Sequence, residues 1–180
     1  MTFEEKTLSS EYVYKGKLIK VRREHVTTRA GTSTREIVDH PGGAVIAAVN
    51  DDETMVMVRQ YRKAVGRVVL EAPAGKIDEG EEPEHAALRE LKEETGYSAM
   101  NIRRLTRMYP SVGYSNEKLY IYLCTGLVSG KTDPDPGESI DVEEYTIDKL
   151  FNMVMDGEIE DAKTQVAVMM TKAVLMDKNL

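Results

Sequence analysis

Residues 75–97 read GKIDEGEEPEHAALRELKEETGY, and their punctuation predicts one well-bounded helix. Pro83 fits the first helical turn, where its missing N–H is no loss and its fixed φ is already helical. Glu81, Glu82 and Glu84 complement the positive end of the helix dipole, and Gly96 suits the left-handed position just past the last turn. The helix is therefore expected from about Pro83 to Thr95. Ala87, Leu88 and Leu91 give it an apolar side to bury.

The other side is acidic. Glu90, Glu93 and Glu94 are three and four residues apart, so their carboxylates share one face. Like charges at this spacing destabilise a bare helix by roughly 0.2–0.5 kcal/mol per pair. Arg89 offsets part of that by reaching Glu93 one turn on. A solvated acidic face is one reading of such a cluster. The other is a site for a hard, oxygen-seeking cation such as Mg²⁺, which takes one or two carboxylates together with phosphate oxygens and water. The second reading points to phosphoryl chemistry.

Working outward, Arg59, Arg62, Lys63 and Arg67 form a cationic cluster just before the acidic segment. By itself it reads as a solvated strand edge; beside a carboxylate face it becomes a candidate for holding a small anion. AVIAAVN and TMVMVRQYR are β-rich runs separated by the turn signal Asn50-Asp51-Asp52, and VVLEAPAGK follows them. Farther upstream, EYVYKGKLIKVRREHVTT alternates apolar and polar residues around Lys15-Gly16-Lys17, a β-hairpin pattern, and STREIVDH supplies a third strand before Pro41-Gly42-Gly43. Downstream come strands around IRRLTRMY and KLYIYLCTGLV, a loop at GKTDPDPGES, and helices near IDKLFNMVMDG and from about Ala162 to Met176. Met169, Met170 and Met176 are expected to pack in the core. Strands interleaved with a few helices predict an α/β or α+β domain, a mixed sheet between helical layers, with a small antiparallel β-domain in front of it. We divide the chain at residues 1–42 and 43–180.

A chain of 180 residues with 41% hydrophobic content supports one compact catalytic unit and a small appendage. The net charge of −7 disfavours nucleic acid and anionic membranes as partners, because long-range repulsion opposes both. MTFEEKTLSS lacks the basic start and apolar stretch of a secretion signal, so a cytoplasmic location is expected. Cys124, the single cysteine, sits in the apolar run KLYIYLC and is read as a buried small hydrophobe. His25, His40 and His85 are scattered, and none is assigned to catalysis.

The segment resembles the Nudix box: a glycine, five residues, a glutamate, seven residues, then Arg-Glu-aliphatic-any-Glu-Glu-any-Gly-aliphatic. Gly75, Glu81, Arg89, Glu90, Leu91, Glu93, Glu94 and Gly96 fill those places, and Tyr97 stands in the final aliphatic one. The flanks TREIVDHPGGAV at 34–45, VRQYRKAVG at 58–66, LEAPAGKIDEGE at 70–81 and YPSVGYSNE at 109–117 resemble the ADP-ribose pyrophosphatase branch of that family. One position departs from it: Val112 stands where that branch commonly has proline.

The resemblance implies a Nudix fold and hydrolysis of the pyrophosphate of ADP-ribose to AMP and ribose 5-phosphate. It implies Mg²⁺, or Mn²⁺, held by Glu90, Glu94 and the carbonyl of Ala74, with Glu93 as a further ligand or support. Glu93 and Arg89 are counted with the catalytic group. Arg62 would reach the diphosphate with Arg59 assisting, and Arg35, Glu71, Gly113 and Glu117 would line the substrate site. The water-activating base would come from a mobile acidic loop, matched by DPDPGESIDVEE; Glu138 is chosen, with Asp135, Asp141 and Glu143 as rivals. A homodimer built through the N-terminal β-domain is implied as well, and Tyr12, Tyr14 and Arg35 are candidates for contact with the base. The alternatives are a pyrophosphatase for another nucleoside diphosphate sugar or for NADH, and a nucleotide-sensing Nudix domain without catalysis.

Overall fold

The computed structural model describes residues 3–133, 137 and 139–176, arranged as two compact units. The first unit holds residues up to Gly42 together with Tyr109–Lys118. Its strands β1 (Thr7–Lys15), β2 (Lys20–Thr28) and β3 (Gly31–Asp39) form an antiparallel sheet in the order β1-β2-β3. The hairpin expected around Lys15-Gly16-Lys17 is present, closed by the Gly16 N–H on the Ile19 carbonyl at 2.9 Å. Within this unit the 109–118 segment docks on β3: the Val38 N–H donates to the Tyr114 carbonyl and the Asn116 N–H to the Val38 carbonyl. That segment lies outside residues 1–42 in sequence.

The second unit comprises 43–108 and 119 onward. Its strands are β4 (Gly43–Ala48), β5 (Thr54–Arg62), β6 (Arg67–Glu71), β7 (Ala74–Lys76), β8 (Ser98–Met108), β9 (Leu119–Val128) and β10 (Ile140–Thr146). Its helices are α1 (Pro83–Thr95), α2 (Ile147–Met155) and α3 (Ala162–Met176). One sheet is mixed, β7-β4-β9-β8, with β4 and β9 parallel; the other is antiparallel, β10-β5-β6.

Strand β4 shows how the layers are made. All six of its residues are buried, as expected of a strand covered on both faces. Val45 and Ala47 point into a core shared with Ile147 and Leu150 of α2 and Ala167 and Val168 of α3. Ala44, Ile46 and Ala48, one residue out of phase, meet Ala86, Ala87 and Leu91 of α1. The sheet thus lies between α1 on one side and α2 with α3 on the other. Cys124 is fully buried in the α1 core, and burial pushes its thiol up to about 12.

Two expectations need correction. Ile140–Thr146 is a strand, so the IDVEE stretch does not belong to a loop. Its own pattern is dominated by acids; pairing with β5, from Ile140 on Gln60 to Thr146 on Thr54, is what makes it extended. The expectation for the methionines of α3 is also corrected: Met169 and Met176 are exposed and Met170 is only half-buried. The buried stripe of that helix is Thr164, Ala167, Val168 and Thr171, small residues at helical spacing that let α3 lie close to the sheet.

Candidate active site

Helix α1 has the predicted bounds. Pro83 opens it, and Gly96 closes it at φ 77°, donating its N–H to the Lys92 carbonyl at 2.9 Å. Arg89 organises its acidic face. Nε donates to Glu81 at 3.0 Å, Nη1 to Glu90 at 2.8 Å and Glu93 at 2.9 Å, and Nη2 to Glu81 and the Lys76 carbonyl, each at 3.0 Å. A guanidinium has five N–H donors, and all five are used. Arg89, expected among the catalytic residues, is therefore a clamp that gathers three carboxylates and leaves no donor for a substrate. The hydrogen bonds to Glu81, then those to Glu90 and Glu93, hold its ionisation far above the usual arginine range. In return Arg89 keeps Glu81 below the usual carboxylate range.

The acids press against the β6–β7 connection. Glu94 is buried and accepts the Ala74 N–H at 3.1 Å. A Cβ at Gly75 would meet the carboxylate of Glu90 at 1.8 Å, so any larger residue there displaces that carboxylate. Glu90, Glu94 and the backbone at Ala74 thus meet at one place, joined through the box glycine. Among the described residues no three His, Cys, Asp or Glu side chains converge on a single point. Two carboxylates with a backbone carbonyl nevertheless make an all-oxygen donor set that leaves positions for phosphate oxygens and water, which suits Mg²⁺. The residues present fit a divalent cation.

Arg62 leaves the end of β5 toward this acidic group. Its Nε and Nη2 donate to the two oxygens of Glu71 at 2.6 and 2.8 Å, and the charge of Glu94 is close enough to contribute to raising its pKa after that of Glu71. Glu71 is only 2% exposed. Burial pushes its carboxyl up, but the bonds from Arg62 and Lys163 outweigh this and hold it below the ordinary range. Arg59, three residues earlier, leaves the opposite face of the strand. It donates to Glu143 at 2.7 Å and to the Tyr145 hydroxyl at 3.2 Å. The structure does not bring Arg59 together with Arg62, and it ties up Glu143, whose carboxyl the Tyr145 hydroxyl and Arg59 keep low. Asp141, the register partner of Arg59, lies on β10 with Glu143.

Three candidates belong to the first unit. Arg35 is bound to Glu5 and to Ser33, Gly113 lies in an open turn, and Glu117 approaches His40 Nδ1 at 3.4 Å. Tyr12 and Tyr14 are exposed on β1, and Val112 is exposed. Glu138 and Asp135 lie outside the described residues.

Several side chains escaped the reading of the sequence. Tyr97, the departure in the box, donates its hydroxyl to Glu144 of β10 at 2.6 Å, an exchange no aliphatic residue offers. Lys163 donates to Glu71 and, at 3.0 Å, to Asp161. Thr164 accepts the Ala72 N–H at 2.8 Å. Asp161 accepts the Thr164 N–H at 3.0 Å, a capping arrangement that Asp three residues before Thr at a helix start signals in the sequence.

A model of the NUDIX domain matches residues 39–166, and a model of the nucleoside diphosphate sugar hydrolase N-terminal domain matches residues 5–41. The chain is 41% identical to an ADP-ribose pyrophosphatase of Bacillus subtilis (strain 168), over 93% of this chain and 92% of that protein. It is 38% identical to a methanol dehydrogenase activator of Bacillus methanolicus, over 92% and 91% of the two chains. A solved structure described as an ADP compounds hydrolase superposes with a TM-score of 0.87 over 99% of this chain and 98% of the other, at 21% identity, a likeness of fold. With its box, its fold and the greater part of its length all matching, the chain belongs to the Nudix hydrolase family.

Proposed function

We propose that this chain hydrolyses the pyrophosphate bond of ADP-ribose, releasing AMP and ribose 5-phosphate, with Mg²⁺ at Glu90, Glu94 and the Ala74 carbonyl and Mn²⁺ as a substitute. Nudix hydrolases depend on a divalent cation, and the identity of the metal is part of the proposal. The observation that carries the reading is the convergence of Glu90 and Glu94 on the Ala74–Gly75 backbone beside the Arg62 guanidinium. The relative named ADP-ribose pyrophosphatase, alike over nearly the whole chain, supports ADP-ribose as the substrate.

A pyrophosphate is anionic and kinetically stable, so its cleavage needs charge neutralisation and an oriented water. Held by Glu90, Glu94 and the Ala74 carbonyl, a divalent cation would supply Lewis acidity toward the phosphates and the attacking water. Arg62 commits two donors to Glu71 and turns its remaining N–H groups to the diphosphate as a charge-assisted donor. Arg89 holds Glu90 and Glu93 in place against their mutual repulsion. Glu138 is assigned to orient the water on the strength of its resemblance to the family's base-bearing segment, and Glu143 is the less suited rival because Arg59 and Tyr145 already occupy it.

The proposal extends to a homodimer in the cytoplasm. Strand β1 is the edge of its sheet, exposed at every residue, and carries Leu8, Tyr12, Val13 and Tyr14 there. An edge this apolar is ordinarily covered. Among the described residues no helix is long and apolar enough to cross a membrane.

The deciding experiment is product analysis on ADP-ribose, ADP-glucose, GDP-mannose and NADH with Mg²⁺, Mn²⁺ or chelator. AMP and ribose 5-phosphate, formed fastest from ADP-ribose and abolished by chelation, are expected. Faster turnover of another member of the panel reassigns the substrate, and ADP-ribose binding without product in either metal would support the nucleotide-sensing reading instead.

A further inference from the structure

We propose that Lys163, in the first turn of α3, is a positioning residue for Arg62 and acts through Glu71. This rests on the reading of Arg62 as the diphosphate-binding arginine. Arg62 is 40% exposed along its side chain, so packing alone does not fix its guanidinium. What fixes it is the fork formed with Glu71, one donor to each oxygen. That fork is only as well placed as the carboxylate. Glu71 is 2% exposed, so bulk solvent does not reach it to replace a lost partner. Its Oε2 is held from the other side by Lys163 Nζ.

Lys163 is in turn anchored. Its ammonium also donates to Asp161 Oδ2 at 3.0 Å, and that same oxygen accepts the Thr164 N–H at 3.0 Å and its hydroxyl at 2.5 Å. The Thr164 hydroxyl oxygen accepts the Ala72 N–H at 2.8 Å, so the first turn of α3 grips two consecutive residues, Glu71 and Ala72, just before Ala74. The oxygens of Glu71 face Arg62 and Lys163, so its part in the site is to carry the position of the arginine.

The test is a double-mutant cycle on the full chain with ADP-ribose and Mg²⁺, reading kcat and KM separately, with thermal unfolding alongside. Arg62→Ala lowers kcat/KM by about 100-fold. Lys163→Met, which keeps volume and loses charge, lowers kcat/KM by about tenfold with KM carrying most of it, because the arginine is misplaced and not removed. Lys163→Arg restores most of that loss. In the Arg62→Ala background Lys163→Met costs at most about twofold more, the non-additivity of a residue that acts through Arg62. A tenfold loss that persists without Arg62, or wild-type KM in Lys163→Met, overturns the proposal while leaving the function intact. Wild-type kinetics in Arg62→Ala overturn both the role of Arg62 and the role of Lys163. Should Lys163→Met fail to fold, Lys163→Gln, which keeps a donor and loses the charge, carries the same cycle to the same decision.

Discussion

Helices α1 and α3 cover opposite faces of β4 and grip the same short connection, residues 71–75, in different chemical terms. From α1 come carboxylates: Glu94 takes the Ala74 N–H, and Glu90 fills the space that Gly75 leaves open. From α3 come a cation and a hydroxyl: Lys163 on Glu71, Thr164 on the Ala72 N–H. Such a division lets a site collect negative charge without its own repulsion pushing the acids apart. One helix supplies acids to face a cation, and Arg89 holds them; the other supplies a tether that keeps the arginine and the backbone carbonyl at a fixed distance from those acids. The active face of α1 is an electrostatic device, whereas the inner end of α3 is a mechanical one.

Removing charge from each helix separates the two roles. The largest effect is expected on α1: Glu94→Gln keeps volume and loses a ligand charge, lowering kcat by about 100-fold or more. Circular dichroism should stay native, because the amide oxygen still accepts the Ala74 N–H. Wild-type turnover at limiting Mg²⁺ would remove Glu94 from the cation site.

An intermediate effect is expected where α3 meets the connection. Glu71→Gln should destabilise the fold by about 1–3 kcal/mol, since a buried carboxylate with two charged donors is replaced by a neutral amide. The sign of its pH dependence follows from the depressed pKa of Glu71. Its contribution is fully present above the ordinary glutamate value of 4.5 and is lost as pH falls through the lower folded-state value. Chemical unfolding of wild type and variant from neutral to acid pH should therefore give two stability curves that converge at the acid end. Curves that stay parallel would show that Glu71 does not carry this charge-dependent stability.

The smallest effect is expected on the outer face of α3. Met169→Lys should change stability by no more than about 0.5 kcal/mol, because the side chain faces solvent. A loss several times larger, measured by thermal unfolding at fixed protein concentration, would mean that the outer face of α3 is covered.

The two helices also differ in how far their sequences could be read. The bounds of α1 followed from Pro83 and Gly96, its buried side from Ala87 and Leu91, and its chemistry from three glutamates at helical spacing, all local signals. The bounds of α3 were equally plain, but its inner face was not. Methionines looked like core residues on hydrophobicity, while Thr164 and Thr171, polar by type, took the buried places because the distance to the sheet rewards small volume. Strand β10 was hidden for a related reason: Asp141, Glu143 and Glu144 masked its alternation, and β5 supplies the hydrogen bonds that extend it.

By itself, then, the sequence determined the Nudix class and the acidic helix and pointed to a cation on it, because the box and the helix rest on spacing along one segment and on glycines at its ends. Tertiary structure alone decided that Arg89 is fully spent as a clamp and that Arg59 and Arg62 part to opposite faces. It also decided that Lys163, 92 residues from Glu71, completes the arginine's seat. Such pairings depend on which side chains meet across strands and helices. Hydrogen-bond donors are counted only once those partners are in place.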